Sequence, residues 1–184
     1  MALNELINQI VDVQIRNVTS NTYSRDLNTI AVLAKHDVFT APEIYRVYQG
    51  SSAMAEDGFD LTSYAYNAVR LIFSQEITPV NVVVGRVAAS GANADYLTAF
   101  NQLLMIPQGW LWLISDLRDT ATQVTLAGLV ETDSKMYLAA THDATNALDP
   151  LITTDLASEL KALSYSNTAT WFDDALDTDL LPLP

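Results

Sequence analysis

Three places in this chain carry side chains able to do acid–base or metal chemistry, and each follows a predicted strand: Asp116, the pair His142-Asp143, and the pair Asp173-Asp174. In open α/β sheets, ligand sites gather beyond the carboxyl ends of the strands. Carboxylates and an imidazole converging there form a donor set for Mg²⁺ or Mn²⁺, and a metal so held can position water for hydrolysis or phosphoryl transfer. Asp116, Asp143 and Asp173 are the residues that such a metal-dependent α/β enzyme would use. The competing reading is that aspartates after strands solvate loops or cap the next helix, as Asp119 and Thr154 are expected to do. With 22 acidic residues in the chain, several fall after strands by composition alone. No catalytic, cofactor-binding or metal site is therefore assigned from the sequence, and the chain is not expected to be an enzyme.

Other chemistries are closed off more firmly. Cysteine is absent, which removes disulfides, thiolate metal sites and cysteine nucleophiles. A serine triad would need His36 or His142, yet no Gly-x-Ser-x-Gly elbow occurs. His36, next to Asp37, reads as a strand end rather than a base. The loop Gly85-Arg86-Val87-Ala88-Ala89-Ser90-Gly91 lacks both the dinucleotide glycine spacing and the Lys-Ser/Thr of a P-loop. Its small residues suit a tight strand-to-helix turn.

The charge balance excludes further classes. Nine basic residues stand against 22 acidic ones, for a formal net charge of −13. The bases are scattered singly, so neither direct nucleic-acid binding nor a polybasic membrane contact is expected. Apolar residues make up 49% of the 184, which reads as a folded domain rather than an acidic disordered segment. No apolar run approaches the roughly 18 to 20 residues that span a bilayer. Residues 1–11 are amphipathic and contain Glu5, without the basic start and apolar run of a signal peptide. The expectation is a protein assembled inside a cell.

The elements that must position these residues follow from periodicity. Residues 1–20 read as a short helix and then a strand, in which Val11, Val13 and Ile15 alternate with Asp12, Gln14 and Arg16. This strand has no hairpin mate nearby, so it must pair with something distant or with another chain. Strands are predicted over 28–34, 43–49, 80–87, 110–114, 136–140 and 168–172, the third broken by Gly85 and Arg86. Helices carry the stripes Leu61-Tyr64-Ala65-Ala68-Ile72-Phe73, Tyr96-Leu97-Phe100-Leu103-Leu104, Val124-Ala127-Val130 and Leu156-Leu160-Leu163. Pro79 and Pro107 mark the ends of the first two. Trp110 and Trp112 are expected on one face of their strand, filling the layer between sheet and helices.

Near-continuous apolar strands alternating with helices predict a three-layer α/β domain, its mostly parallel sheet flanked by helices. The domain spans 27–175, an N-terminal arm of helix and extended strand occupies 1–26, and 176–184 forms an acidic, proline-ended linker.

In sequence order the chain resembles the contractile-tail sheath proteins of myophages. The resemblance is carried by the strand Val11-Asp12-Val13-Gln14-Ile15, a polar Thr-Ser-Asn-Thr stretch and the strand Leu27 to Leu33. The block Tyr45-Arg46-Val47-Tyr48 then leads into a small helix at Ser51 to Ala55. Tyr64 to Phe73, Ser74-Gln75, Pro79 and Val80-Asn81-Val82-Val83-Val84-Gly85-Arg86 follow the order of that family: a helix ending in Phe-Ser-Gln, a proline, and a strand ending in Gly-Arg. The resemblance implies a structural bacteriophage protein without catalytic residues or cofactors. Such a subunit would polymerise with itself in hexameric rings around a tail tube protein, beside baseplate and tail terminator proteins. It would be assembled in the host cytoplasm and reside in the virion. It also implies a C-terminal domain beyond residue 184, and makes Val11, Val13 and Ile15 candidates for an inter-subunit strand.

Overall fold

The computed structural model describes residues 29–107, 109–142 and 151–172. The expected inter-subunit strand with Val11, Val13 and Ile15, the boundary at residue 26 and the linker lie outside them, as do Asp143, Asp173 and Asp174.

The chain folds as an α/β sheet protein. Its strands are β1 (Ile30–Lys35), β2 (Tyr45–Tyr48), β3 (Val82–Val87), β4 (Trp112–Ser115), β5 (Met136–Thr141) and β6 (Thr168–Phe172). They form one six-stranded sheet in the order β2-β3-β1-β4-β5-β6. All neighbours pair in parallel except β2, which runs antiparallel to β3 at one edge. Among the described residues the helices are α1 (Ser51–Glu56), α2 (Tyr64–Ile72), α3 (Asp95–Leu104), α4 (Thr120–Thr132) and α5 (Leu156–Ala162).

Burial on both sides explains the unbroken apolar strands at the sheet centre. Ala31, Leu33, Val83, Leu113, Tyr137 and Ala139 pack against α3, α4 and α5 on the first face. Val32, Ala34, Val82, Val84, Ile114 and Ala140 pack on the second face with α1 and α2. Removing the side chain of a buried leucine such as Leu33 or Leu113 costs about 2–5 kcal/mol. The helices start where a side chain satisfies a free backbone N–H. Ser63, Asp119 and Asp155 accept from the amides of Tyr66, Thr122 and Ser158.

Several local expectations are corrected. The helix expected from Leu61 begins at Tyr64, because the Asp60 carboxylate accepts from the Thr62 amide at 2.8 Å and Ser63 then caps. It ends at Ile72, well before Pro79. The strand expected over 80–87 starts at Val82 and runs unbroken through Gly85 and Arg86. Gly85 serves close approach rather than a break: a Cβ there would stand 2.8 Å from Leu103 Cδ1 of α3. Asp155, not Thr154, caps α5, and Leu163 falls beyond it, half exposed. Trp110 lies before β4 and is buried on the first face, its indole Nε1 donating to the Leu103 carbonyl at 3.1 Å. Trp112 begins β4 and alternates with Leu113 onto the second face, so the two tryptophans do not share a side.

Candidate functional site

The strands β3 and β4 flank β1, so the direction of winding reverses at β1 and the carboxyl ends of β1 and β4 frame the switch point of the sheet. Asp116 stands there, immediately after β4. Its Oδ2 accepts from the Lys35 amide at 3.0 Å, and its Oδ1 accepts from the Tyr96 hydroxyl. The Asp116 amide in turn donates to the Leu33 carbonyl at 3.4 Å. Burial pushes the Asp116 carboxyl above its ordinary value, against the pull of the Tyr96 and Lys35 hydrogen bonds. The residue therefore clasps β1, β4 and α3, with both carboxylate oxygens engaged. Arg118, two residues on, donates to the carbonyls of Ser115 and Leu117 at 3.1 and 3.0 Å, and its guanidinium lies 5.7 Å from the centre of the Tyr64 ring.

His142 follows β5 at the same end of the sheet. Among the described residues, no group of three His, Asp or Glu side chains is placed to hold a metal ion. Asp143 and Asp173, the partners that an Asp116 metal centre would need, lie outside those residues.

Sequence reasoning overlooked Gln123. It is fully buried beside the carboxyl ends of β4 and β5, where its Nε2 donates to the Leu117 carbonyl at 2.8 Å and the Ala140 carbonyl at 2.7 Å. It thereby ties the loop after β4 to β5. The available signal was a polar residue in helical phase with the buried Ala127 and Val130. Beside it Ser115 Oγ and the Tyr137 hydroxyl are 2.9 Å apart, and burial pushes the Tyr137 hydroxyl up to about 12.

A second cluster surrounds His36, directly after β1. Its amide donates to the Val87 carbonyl at 2.9 Å, as a strand end should. The ring is 7% exposed and lies 4.4 Å from Phe39 and 4.8 Å from Phe59, centre to centre. Neither ring nitrogen has a hydrogen-bond partner. Burial, with the nearby Arg86 guanidinium, holds the imidazole down at about 4. Arg86 itself pairs with Asp37 at 2.8 Å. These contacts seal a corner of the fold with a neutral imidazole, consistent with a structural role.

The remaining feature is a surface. The helices of the second face lie over β2, β3 and β1, and the cluster they pack into takes in Ile114 and Ala140, with Leu138 packed against its rim. Trp112 and Met136 are half-buried outside it, Leu138 is half-buried at its rim, and Ala169 and Trp171 of β6 are exposed, Trp171 by 52%. Register puts them on one side: Trp112 pairs with Met136, Leu138 with Ala169, and Ala140 with Trp171. Among the described residues, these five uncharged side chains form an apolar half-face. It borders β6, whose sequence Thr-Ala-Thr-Trp-Phe is likewise uncharged and which ends the sheet order.

The opposite edge is built differently. On β2, Arg46 is held by Glu43 at 2.6 Å and by Asp57 at 2.9 Å, and the Tyr48 hydroxyl donates to Asp57 at 2.7 Å. Charged side chains guard an edge strand against pairing with another chain, and β6 has none. Compared with known proteins, the chain matches no family model and no curated protein sequence.

Proposed function

We propose that this chain is a structural subunit of a contractile bacteriophage tail sheath, polymerising as rings around the tail tube and contracting during DNA delivery. The observation that carries the reading is the uncharged edge β6 with the apolar half-face beside it. A sheath subunit needs a rigid body and a surface that accepts a neighbour. The order of Tyr45-Arg46-Val47-Tyr48, the Tyr64 to Phe73 helix and the strand ending in Gly85-Arg86 gives the resemblance its residues.

In this reading Val11, Val13 and Ile15 form a linking strand that adds to the β6 edge of an adjacent subunit. Backbone hydrogen bonds would supply the connection, and the alternating Val11, Val13 and Ile15 would extend the apolar half-face. Contraction would then be a rigid-body rearrangement between subunits whose arms stay connected. The partners are further copies of the chain, in hexameric rings by resemblance, together with the tail tube, baseplate and tail terminator proteins. The place of action is the virion, after assembly in the host cytoplasm.

Negative-stain electron microscopy of the expressed protein is the direct test. Striated tubes or stacked rings are expected from the intact chain, and folded but unassembled protein after deletion of residues 1–18. Monodisperse monomers from the product of the whole reading frame would end the sheath reading. Unfolding on deletion would show that the strand belongs to its own sheet.

A further inference from the structure

The half-face formed by Trp112, Met136, Leu138, Ala169 and Trp171 needs a cover. Among the described residues, the helices between β3 and β6 all pack on the first face, and none lies over this half of the second. An apolar face of a parallel sheet is ordinarily closed by a helix. Residues 3–10 are suited to that place. Leu3, Leu6, Ile7 and Ile10 recur at i, i+3, i+4 and i+7, while Asn4, Glu5, Asn8 and Gln9 occupy the opposite side of the helical wheel.

Length and charge agree. A helix of this size is about 12 Å long, close to the roughly 13 Å that β5 covers between Met136 and Ala140. Residues 1–28 carry Glu5, Asp12 and Asp26 against Arg16 and Arg25, so this segment is nearly neutral in a chain of net charge −13. An acidic body repels copies of itself, and this segment approaches it with little repulsion.

We infer that residues 3–10 of a neighbouring copy dock as an amphipathic helix on this half-face, Leu3, Leu6, Ile7 and Ile10 covering Leu138, Ala169 and Trp171. The inference rests on the sheath reading, in which the adjoining strand with Val11, Val13 and Ile15 reaches the β6 edge of the same neighbour. Helix then strand in the arm matches face and adjoining edge in the acceptor. Because the arm belongs to another chain, the handedness rule for crossovers within one sheet does not direct its helix to the first face.

The absence of native cysteine makes the test direct. The full chain is prepared as two double variants, Ile7→Cys with Ala169→Cys and Leu3→Cys with Ala169→Cys, and oxidised under assembly conditions. Either pair should give a ladder of covalent oligomers on a non-reducing gel, with tubes retained in the microscope. A disulfide confined to single chains overturns the inference, because the segment would then cover its own body. Tubes without any disulfide from either pair also overturn it while leaving the sheath reading standing. Loss of both tubes and disulfides, with the thermal unfolding of the parent chain preserved, removes the two together. As an independent readout, Ile7→Asp should leave the melting temperature of the body unchanged and raise acrylamide quenching of Trp171 in a chain with Trp110→Phe and Trp112→Phe. Quenching no higher than in the matched chain that keeps Ile7 would count against docking.

Discussion

Ala140 and Trp171 stand in register across the β5–β6 ladder and share one side of the sheet, yet Ala140 is sealed from solvent and Trp171 is 52% exposed. The second-face cluster takes in Ala140 and does not include Trp171. A large aromatic side chain left out of the core contributes little to folding, so its energetic role must come from contact with something else.

Trp171→Lys separates the two contributions. Folding stability should change by no more than about 0.5 kcal/mol, as for other exposed positions, while tube formation is lost because a charge now guards the β6 edge. Calorimetry on the unassembled protein and electron microscopy read the two effects. A large fall in melting temperature would mean that Trp171 is part of the core after all.

At the switch point, Asp116→Asn and Asp116→Ala should differ. Asparagine retains an acceptor and loses the cost of a buried charge, so stability should stay within about 1 kcal/mol of the parent. Alanine leaves the Lys35 amide and the Tyr96 hydroxyl without their acceptor and should cost about 2–4 kcal/mol. Urea unfolding distinguishes them. Millimolar Mg²⁺ should leave the melting temperature of the parent unchanged, whereas an ion-specific rise would revive the metal-enzyme reading through mass action.

Gln123→Leu keeps the volume and removes both hydrogen bonds. The carbonyls of Leu117 and Ala140 then lose their common donor inside the core, at a cost of about 2–4 kcal/mol. Equilibrium unfolding checks this, and a neutral outcome would show that water replaces the amide.

His36 sets an acid limit. Its folded-state value is held at about 4, below the ordinary 6.5, so the unfolded chain binds the proton more readily. Stability from this residue is complete above pH 6.5 and is lost as the pH falls toward 4. The loss should be on the order of 2 kcal/mol, less than the full shift would give because Asp37 and nearby solvent screen the charge. Melting temperatures measured from pH 7 to pH 4 should fall less steeply for His36→Leu than for the parent. Parallel curves would place the acid sensitivity elsewhere.

Much of the fold is legible in the residue order. The near-continuous apolar character of Val82-Val83-Val84 announces a strand buried on both sides, and the Asp119 cap is readable from its position before an apolar stripe. Alternation misleads at Trp110, which lies outside the ladder and turns to the face opposite that of Trp112. The cap of α5 moves one residue because Asp155, not Thr154, brings its side chain to the Ser158 amide. Such shifts arise where neighbouring residues share the same local chemistry and only three-dimensional contacts choose between them.

The candidate site was far less legible. Periodicity and composition alone established an acidic, cysteine-free α/β chain with carboxylates after its strands and an alternating apolar pattern near its start. Those are local properties, set by spacing along one segment. Tertiary structure decided that Asp116 spends its oxygens on Lys35 and Tyr96, that Gln123 bridges two carbonyls distant in sequence, and that Trp112 is left half-buried and Trp171 exposed. Each of these depends on which strands become neighbours and on which face each crossover helix lands. Strand order arises from the packing of the whole chain, and no window of the sequence contains it.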